Sequence, residues 1–361
     1  MSALAAVRAE LRGFVGYRSA RAEAAHGEVW LNANENPWPP EGDGGLALNR
    51  YPQPQPERLL AALANLYSVA PAQVLAGRGS DEFIDLLVRA CCRAGADAVL
   101  VSPPTFGMYA VSARVQDAAV VAVPLLPDAL RGLRPDVAAV IAAAHTRPVR
   151  LAFACSPNNP TGAAWQREEL AEVATALEGR ALLVVDEAYA EFDGDGRGAL
   201  PLLAAHANLV VLRTLSKAHA LAGARVGVAL AAPELLAVLR SIMAPYPLPT
   251  HSQSAALRAV QADALARTRR QLAVLAGERA RVAAALRGLG GVLAVFPSVA
   301  NFLCVRFADA AAAYARLGAG AVVARDVGRQ PGLAGCLRIS IGAPAENDRL
   351  LAALGAGEAR R

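Results

Sequence analysis

Short, unbroken apolar runs recur along the chain: Ala98-Val99-Leu100-Val101, Leu151 to Ala154, Ala181-Leu182-Leu183-Val184-Val185 and Leu209-Val210-Val211-Leu212. A strand with one face in water alternates apolar and polar residues. A run that is apolar at every position is how a parallel strand covered on both faces reads. Val74-Leu75-Ala76, Val120 to Leu125, Val137 to Ala142 and Val226-Gly227-Val228-Ala229 extend the set of expected strands. Helical patterns lie between them, over Pro56 to Tyr67, Phe83 to Cys92 and Arg167 to Leu177. This rhythm of strand, loop and helix predicts an α/β fold with a mostly parallel sheet.

The two ends read differently. Residues 3–12 have the pattern of a short helix, and a loop follows over 13–18. Val29-Trp30-Leu31 reads as a short strand that stops at Asn32-Ala33-Asn34-Glu35-Asn36-Pro37, because polar amides packed before a proline do not continue a strand. Residues 36–56 are proline-rich and open, and a long irregular segment in a compact enzyme is usually functional or covers a neighbour. Beyond Pro245-Tyr246-Pro247-Leu248-Pro249, Ser252 to about Leu286 reads as one long helix joining domains. Strands at Val292 to Phe296, Phe302 to Phe307, Ala321-Val322-Val323 and Leu337 to Ser340 then suggest a smaller α+β domain. The expected organisation is an N-terminal segment 1–28 associated with the small domain, a large α/β domain 29–250 and a small domain 251–361.

Composition narrows the partners. The chain has 361 residues, 55% hydrophobic and 19% charged, which excludes a disordered protein and leaves room for a buried site. The net charge of +5 comes from scattered arginines without a basic block, which argues against nucleic acid and fits small anionic substrates. Cys91, Cys92, Cys155, Cys304 and Cys336 have neither metal-ligand spacing nor a disulfide framework, so they read as small apolar residues in a reducing compartment. His26, His145, His206, His219 and His251 are isolated, which removes a histidine metal site. Arg8, Glu10 and Arg12 interrupt the start, so no signal peptide is expected, and prolines 103, 104 and 201 break the longest uncharged stretches. The expected location is the cytoplasm, with no membrane partner.

Four polar motifs follow expected strands. Gly77-x-Gly79-Ser80-Asp81 sits between a strand and a helix, where free N–H groups and the helix dipole receive phosphate. It also reads as an ordinary strand-to-helix turn, and it lacks both the third glycine of the dinucleotide fingerprint and the lysine of a Walker loop. Ser156-Pro157-Asn158-Asn159-Pro160-Thr161-Gly162 offers amides fenced by prolines, either a polar turn or ligand donors. Asp186-Glu187-Ala188-Tyr189 closes a buried strand. Its acid can pair with a protonated ring nitrogen and its tyrosine can donate to a phenolate-like oxygen, or the acids cap a helix. Ser216-Lys217-Ala218 presents a lysine in an arginine-rich chain, with Arg225 eight residues on. A desolvated amine there can form a Schiff base, and the bland alternative is a surface lysine. Together the four motifs meet the demands of a pyridoxal phosphate site: an amine, an acid, ring-oxygen donors and a phosphate nest, with Phe106 as the aromatic plate.

On these residues, with Arg50-Tyr51-Pro52, Pro103-Pro104-Thr105-Phe106-Gly107-Met108-Tyr109, Arg325-Asp326 and Gly335-Cys336-Leu337-Arg338-Ile339, the chain resembles the fold-type I, class I and II aminotransferases over nearly its whole length, and within them the histidinol-phosphate branch. The resemblance implies a large domain with a mostly parallel seven-stranded sheet, a smaller α+β domain and pyridoxal 5'-phosphate as cofactor. It implies that Lys217 bonds the cofactor aldehyde and serves as the proton carrier. Asp186 then pairs with the ring nitrogen, and Tyr189 and Asn159 bond the ring oxygen. Ser80, Asp81, Ser216 and Arg225 hold the phosphate. Tyr51 is implied to reach that phosphate from the second subunit of a homodimer. Tyr17, Asn34, Asn159, Arg325 and Arg338 are implied to bind substrate. The implied reaction exchanges an amino group between L-histidinol phosphate and 2-oxoglutarate, with aromatic or other amino acids as the alternative donors. Phe106 stands where close relatives have tyrosine, and His219 reads as packing rather than catalysis.

Overall fold

The computed structural model describes residues 2–17, 19–20 and 29–355. Positions 1, 18 and 21–28 of the expected N-terminal segment, with His26, therefore lie outside the described residues. A seven-stranded sheet runs through the larger body. Its strands are β1 (Val74–Gly77), β2 (Ala98–Val101), β3 (Ala119–Ala122), β6 (Val149–Cys155), β7 (Leu182–Asp186), β8 (Leu209–Thr214) and β9 (Gly227–Leu230). Their order is β1-β9-β8-β7-β6-β2-β3. Every pair is parallel except those of β9, which runs against both β1 and β8. Between β3 and β6 a small hairpin, β4 (Leu126–Asp128) with β5 (Gly132–Arg134), stands apart.

Alternate residues of each strand explain why the runs are apolar throughout. Val99, Leu151, Phe153, Val184 and Leu212 pack on one face, against α2 (Ser80–Cys91) and α6 (Pro233–Ile242). Leu100, Ala152, Leu183, Val185 and Val211 pack on the other, with α1 (Glu57–Tyr67), α4 (Val137–Thr146), α5 (Arg167–Ala176) and α7 (Thr250–Ala259). The sheet is thus the middle of three layers, with helices on both faces. In sequence order α3 (Met108–Val115) lies between β2 and β3.

Several expected elements differ. Val137 to Ala142 is the start of helix α4, not a strand, and Asp136 caps it by accepting from the Ala139 N–H. Its alanine-rich run carries the helix while Val140 and Ala144 reach the core. Residues 29–31 and 321–323 are not strands; in the small sheet Arg325–Asp326 takes the edge position instead. The long helix is two, α7 and α8 (Ala262–Arg287), broken at Val260-Gln261. Ala256 of α7 is buried with Leu59, Leu63 and Val226 of the larger body. The described N-terminal turns, Ala3–Ala6 and Ala9–Leu11, bury Ala3, Ala6 and Val7 against the larger body rather than the small domain.

The smaller body is a four-stranded antiparallel sheet in the order β10-β11-β13-β12 (Val292–Val295, Phe302–Phe307, Cys336–Ser340, Arg325–Asp326). Val282 and Leu286 of α8, Leu317 of α9 (Ala310–Ala319) and Leu350 of α10 (Pro344–Ala353) cover it. Among the described residues no helix is long and apolar enough to cross a membrane. The five cysteines are buried free thiols.

Candidate active site

The carboxyl ends of β6, β7 and β8, adjacent in the sheet, open into one cavity of about 780 Å³. This crevice is where an open α/β sheet presents its strand-end loops. Asp186 is the last residue of β7, and Asn159 and Lys217 follow β6 and β8. Ser80, Asp81, Phe106, Tyr189, Ser216 and Arg225 also line the cavity, and Arg325 and Arg338 line it from the small sheet. Tyr17, Asn34 and Tyr51 do not, and all three are exposed. Tyr51 stacks on Tyr246 with ring centroids 4.4 Å apart, and its backbone N–H donates to Glu35 Oε1 at 2.6 Å.

Asp186 is the buried acid of the site. Its Oδ2 accepts from the Tyr109 hydroxyl at 2.8 Å and its Oδ1 from the Ala188 N–H at 3.2 Å. Burial pushes this carboxyl up to about 6, and those two donors hold it from going further. A cationic partner in the cavity is what such a carboxylate lacks for full compensation. The Lys217 amine lies 5.6 Å from the Tyr189 ring centroid. Burial lowers its pKa first, and the cations Arg338 and Arg225 push the same way against Asp81 and Asp186. A larger neutral fraction makes it a better nucleophile and base.

The start of α2 turns free backbone N–H groups toward the cavity, as an anion site would need. Gly79, at φ +81°, precedes the helix and leaves the Ser80 and Asp81 end pointing into the cavity. Arg225 closes over it, with Nη2 3.3 Å from Asp81 Oδ2 and Nη1 3.5 Å from Ser216 Oγ. Ser216 is set in turn by Thr214, whose Oγ1 is 2.9 Å from the serine hydroxyl. Gly227 of β9 permits the approach, because a Cβ there would meet the Gly79 carbonyl carbon at 2.1 Å and the Ser80 nitrogen at 2.4 Å. Gly227→Ala therefore drives backbone into backbone. The expected cost is about 1–3 kcal/mol of stability with a weakened phosphate cradle, checked by thermal melts with and without pyridoxal phosphate.

The paired amides divide their work. Asn158 is buried and structural: its Nδ2 donates to Pro104 O and Thr161 Oγ1, and its Oδ1 accepts from Thr105. Asn159 faces the cavity, and its Oδ1 accepts from Arg338 Nη1 at 2.5 Å. Arg338 pairs in register with Arg325 across β12 and β13, so two guanidinium groups serve one wall. Such a wall suits an anionic substrate. His219 is buried outside this lining, and neither ring nitrogen has a hydrogen-bond partner. Burial lowers its pKa and keeps it neutral.

Several lining residues carry no motif in the sequence. Arg329 and Gln330 line the cavity from the turn after β12, and Cys155 from the end of β6. Tyr109 sits inside a quoted motif, yet only its contact with Asp186 gives it meaning. Arg213, buried in β8, pairs with Glu187 at 2.6 Å and Glu191 at 3.2 Å. One signal was in plain view: Lys217 is the sole lysine among 361 residues. Among the described residues no group of three or more His, Cys, Asp and Glu is placed to hold a metal ion.

The cavity fits pyridoxal phosphate by its donor set. It offers a buried carboxylate short of one cation, an amine of lowered pKa, free helix N–H groups at a glycine turn and an aromatic ring at Phe106. The comparisons point the same way. The family described as aminotransferase class I and II matches residues 27–354. A histidinol-phosphate aminotransferase of Stenotrophomonas maltophilia is 56% identical over 356 residues, covering 99% of this chain and 97% of the relative. One from Xylella fastidiosa is 53% identical, covering 96% and 95%. The solved structure of a histidinol-phosphate aminotransferase from Sinorhizobium meliloti in complex with pyridoxal-5'-phosphate superposes with a TM-score of 0.75 at 29% identity, over 89% of this chain and 88% of that one.

Proposed function

This chain belongs to the class I and II aminotransferases, as a pyridoxal-phosphate-dependent enzyme, and from that premise we propose that it exchanges an amino group between L-histidinol phosphate and 2-oxoglutarate. The products are imidazole acetol phosphate and L-glutamate. The observation that carries the reading is the convergence of Lys217, Asp186 and Arg338 on one cavity, in a chain 56% identical over nearly its full length to a histidinol-phosphate aminotransferase.

Ser80, Asp81, Ser216 and Arg225 would hold the cofactor phosphate, Asp186 its ring nitrogen, Tyr189 and Asn159 its ring oxygen, and Lys217 its aldehyde carbon, with Phe106 against the ring. When bound, pyridoxal phosphate supplies an electron-withdrawing ring that acidifies the α carbon–hydrogen bond of the amino donor. Asp186, ionised and buried, keeps a proton on the ring nitrogen. Lys217 Nζ takes the proton from the substrate's α carbon and delivers one back in the reverse half, so one residue serves as both base and acid. Tyr189, whose hydroxyl burial pushes up to about 12, stays protonated and acts as a donor.

Both substrates carry an anion beside the reacting carbon: the phosphate ester on the carbon next to the amine-bearing one in histidinol phosphate, and the carboxylate on the keto carbon of 2-oxoglutarate. Arg325 and Arg338 accept a phosphate in one half-reaction and a carboxylate in the other, and the planar guanidinium suits both. Arg338→Ala should raise KM about ten- to hundredfold for both substrates, as loss of a charge-assisted hydrogen bond would. Steady-state kinetics with each substrate varied checks this, and a defect confined to one of them would rule out a shared anion site.

The active unit is a homodimer in this reading, with Tyr51, Tyr17 and Asn34 completing the partner's cavity or closing over substrate. Its support is that the three are exposed outside their own chain's cavity, as are the apolar Phe14, Leu31 and Trp38. Five free thiols support a reducing compartment, here the cytoplasm. The chain divides into a large cofactor domain and a small domain that supplies Arg325 and Arg338. A panel of amino donors on purified protein tests the substrate. Histidinol phosphate should be preferred, and equal turnover of phenylalanine would move the reading to an aromatic aminotransferase.

A further inference from the structure

We propose that Tyr109 is a positioning residue of this site, one that donates its hydroxyl to Asp186 and so fixes the carboxylate that faces the cofactor's ring nitrogen. This deepens the reading above and rests on it, since it takes Asp186 as the partner of that nitrogen.

Tyr109 is the second residue of α3, and it is fully buried. Its ring is held on two sides. Phe153 of β6 stacks on it with centroids 4.6 Å apart and planes 5° from parallel. Phe106 meets it edge-on at 5.6 Å and 82°. A tyrosine side chain has two rotatable bonds before its hydroxyl, and this packing fixes both. The hydroxyl therefore arrives at Asp186 Oδ2, 2.8 Å away, without further ordering cost. The same ring touches Phe106, so the aromatic plate and the carboxylate are braced by one side chain.

The donor role is enforced by electrostatics. Burial pushes the Tyr109 phenol far up, and the neighbouring Asp186 and Cys155 add to this, so it remains an O–H donor across the working range. Asp186 meets charge from several elements. Asp81 of α2 pushes its carboxyl up, and Lys217 beyond β8 pulls it down. Against burial, the Tyr109 hydrogen bond is the largest counterweight. Phenylalanine at 109 would fill the same volume between the same two rings and remove only that bond. A packing role would survive the exchange and a positioning role would not.

The test uses the full-length protein with pyridoxal phosphate as probe and compares wild type, Tyr109→Phe, Asp186→Asn and the double variant. Cofactor affinity is read by fluorescence over a pH series, and folding by thermal melts. Tyr109→Phe should melt close to wild type yet bind pyridoxal phosphate about tenfold more weakly, the worth of one hydrogen bond to a charged group. The acidic limb of binding, set by an Asp186 carboxyl near 6, should move up by about one pH unit, because the lost donor had favoured the ionised form. In the Asp186→Asn background the tyrosine change should add little, since the charge it served is gone. Unchanged affinity and an unmoved limb in Tyr109→Phe overturn the proposal. So do independent, additive losses in the double variant, a comparison that holds even if one variant is less stable. A wild-type protein that captures no pyridoxal phosphate on Lys217 overturns the parent reading instead, and the two failures are distinguishable.

Discussion

Replacing Lys217 with alanine is expected to lower kcat by at least about 10⁴-fold, because on the proposed function it removes the covalent anchor and the proton carrier together. The protein should still fold, since the lysine side chain is exposed and its amine lies 5.6 Å from the Tyr189 ring centroid. The phosphate cradle is untouched, so the variant should retain pyridoxal phosphate without the visible absorbance of the wild-type protein. Borohydride treatment gives the sharpest reading. With one lysine in the chain, wild type should acquire a single pyridoxyl group on a side-chain amine, located by peptide mass analysis, and the variant none. Turnover near wild-type levels in Lys217→Ala would remove the lysine from the chemistry altogether.

Asp186→Asn should cost about 10²–10³-fold in kcat while leaving KM for the amino donor within a few fold. The amide preserves shape and can still bond to its neighbours, but it carries no charge to hold a proton on the ring nitrogen. The position is buried, so the missing charge is not replaced by solvent. Single-turnover measurement of α-proton removal, with a deuterated donor, separates this loss from binding. An unchanged single-turnover rate would mean that the carboxylate does not serve the electron-withdrawing ring. Melting temperature should hold or rise slightly, because a buried charge without a counter-cation in the apo protein gives way to a neutral group.

The parallel sheet was legible because a strand packed on both faces leaves a local trace, a run without polar interruption, as over 181–185. The same rule misread 137–142, where Val, Ile and alanine form an equally apolar run that is one turn after another of α4. Periodicity cannot separate a buried strand from a short buried helix, and the aspartate cap at 136 was the signal that could. The long helix was similarly over-read across Val260-Gln261, because composition there stays helical while the backbone turns. In the cavity, Lys217, Asp186, Tyr189 and the Gly79 turn, all marked in the sequence, come together because each sits at or just past a strand end. Tyr109 and Arg213 had no role in that reading, since a buried tyrosine and a buried arginine look like core and surface residues until their partners are known.

By itself the sequence determined the kind of chemistry: one amine, a buried-strand acid, a glycine-turn anion site and the arginines that follow, all of which are local residue choices. Only the tertiary structure decided which groups face one another. Asp186 and Tyr109 lie 77 residues apart in the chain and 2.8 Å apart in space. Asn159 and Arg338, separated by 179 residues, bring the small domain's cations onto the large domain's cavity. The reason is physical: a residue's type is written at its own position, while its pKa and its partner are set by burial and by chain segments that meet only when the core closes.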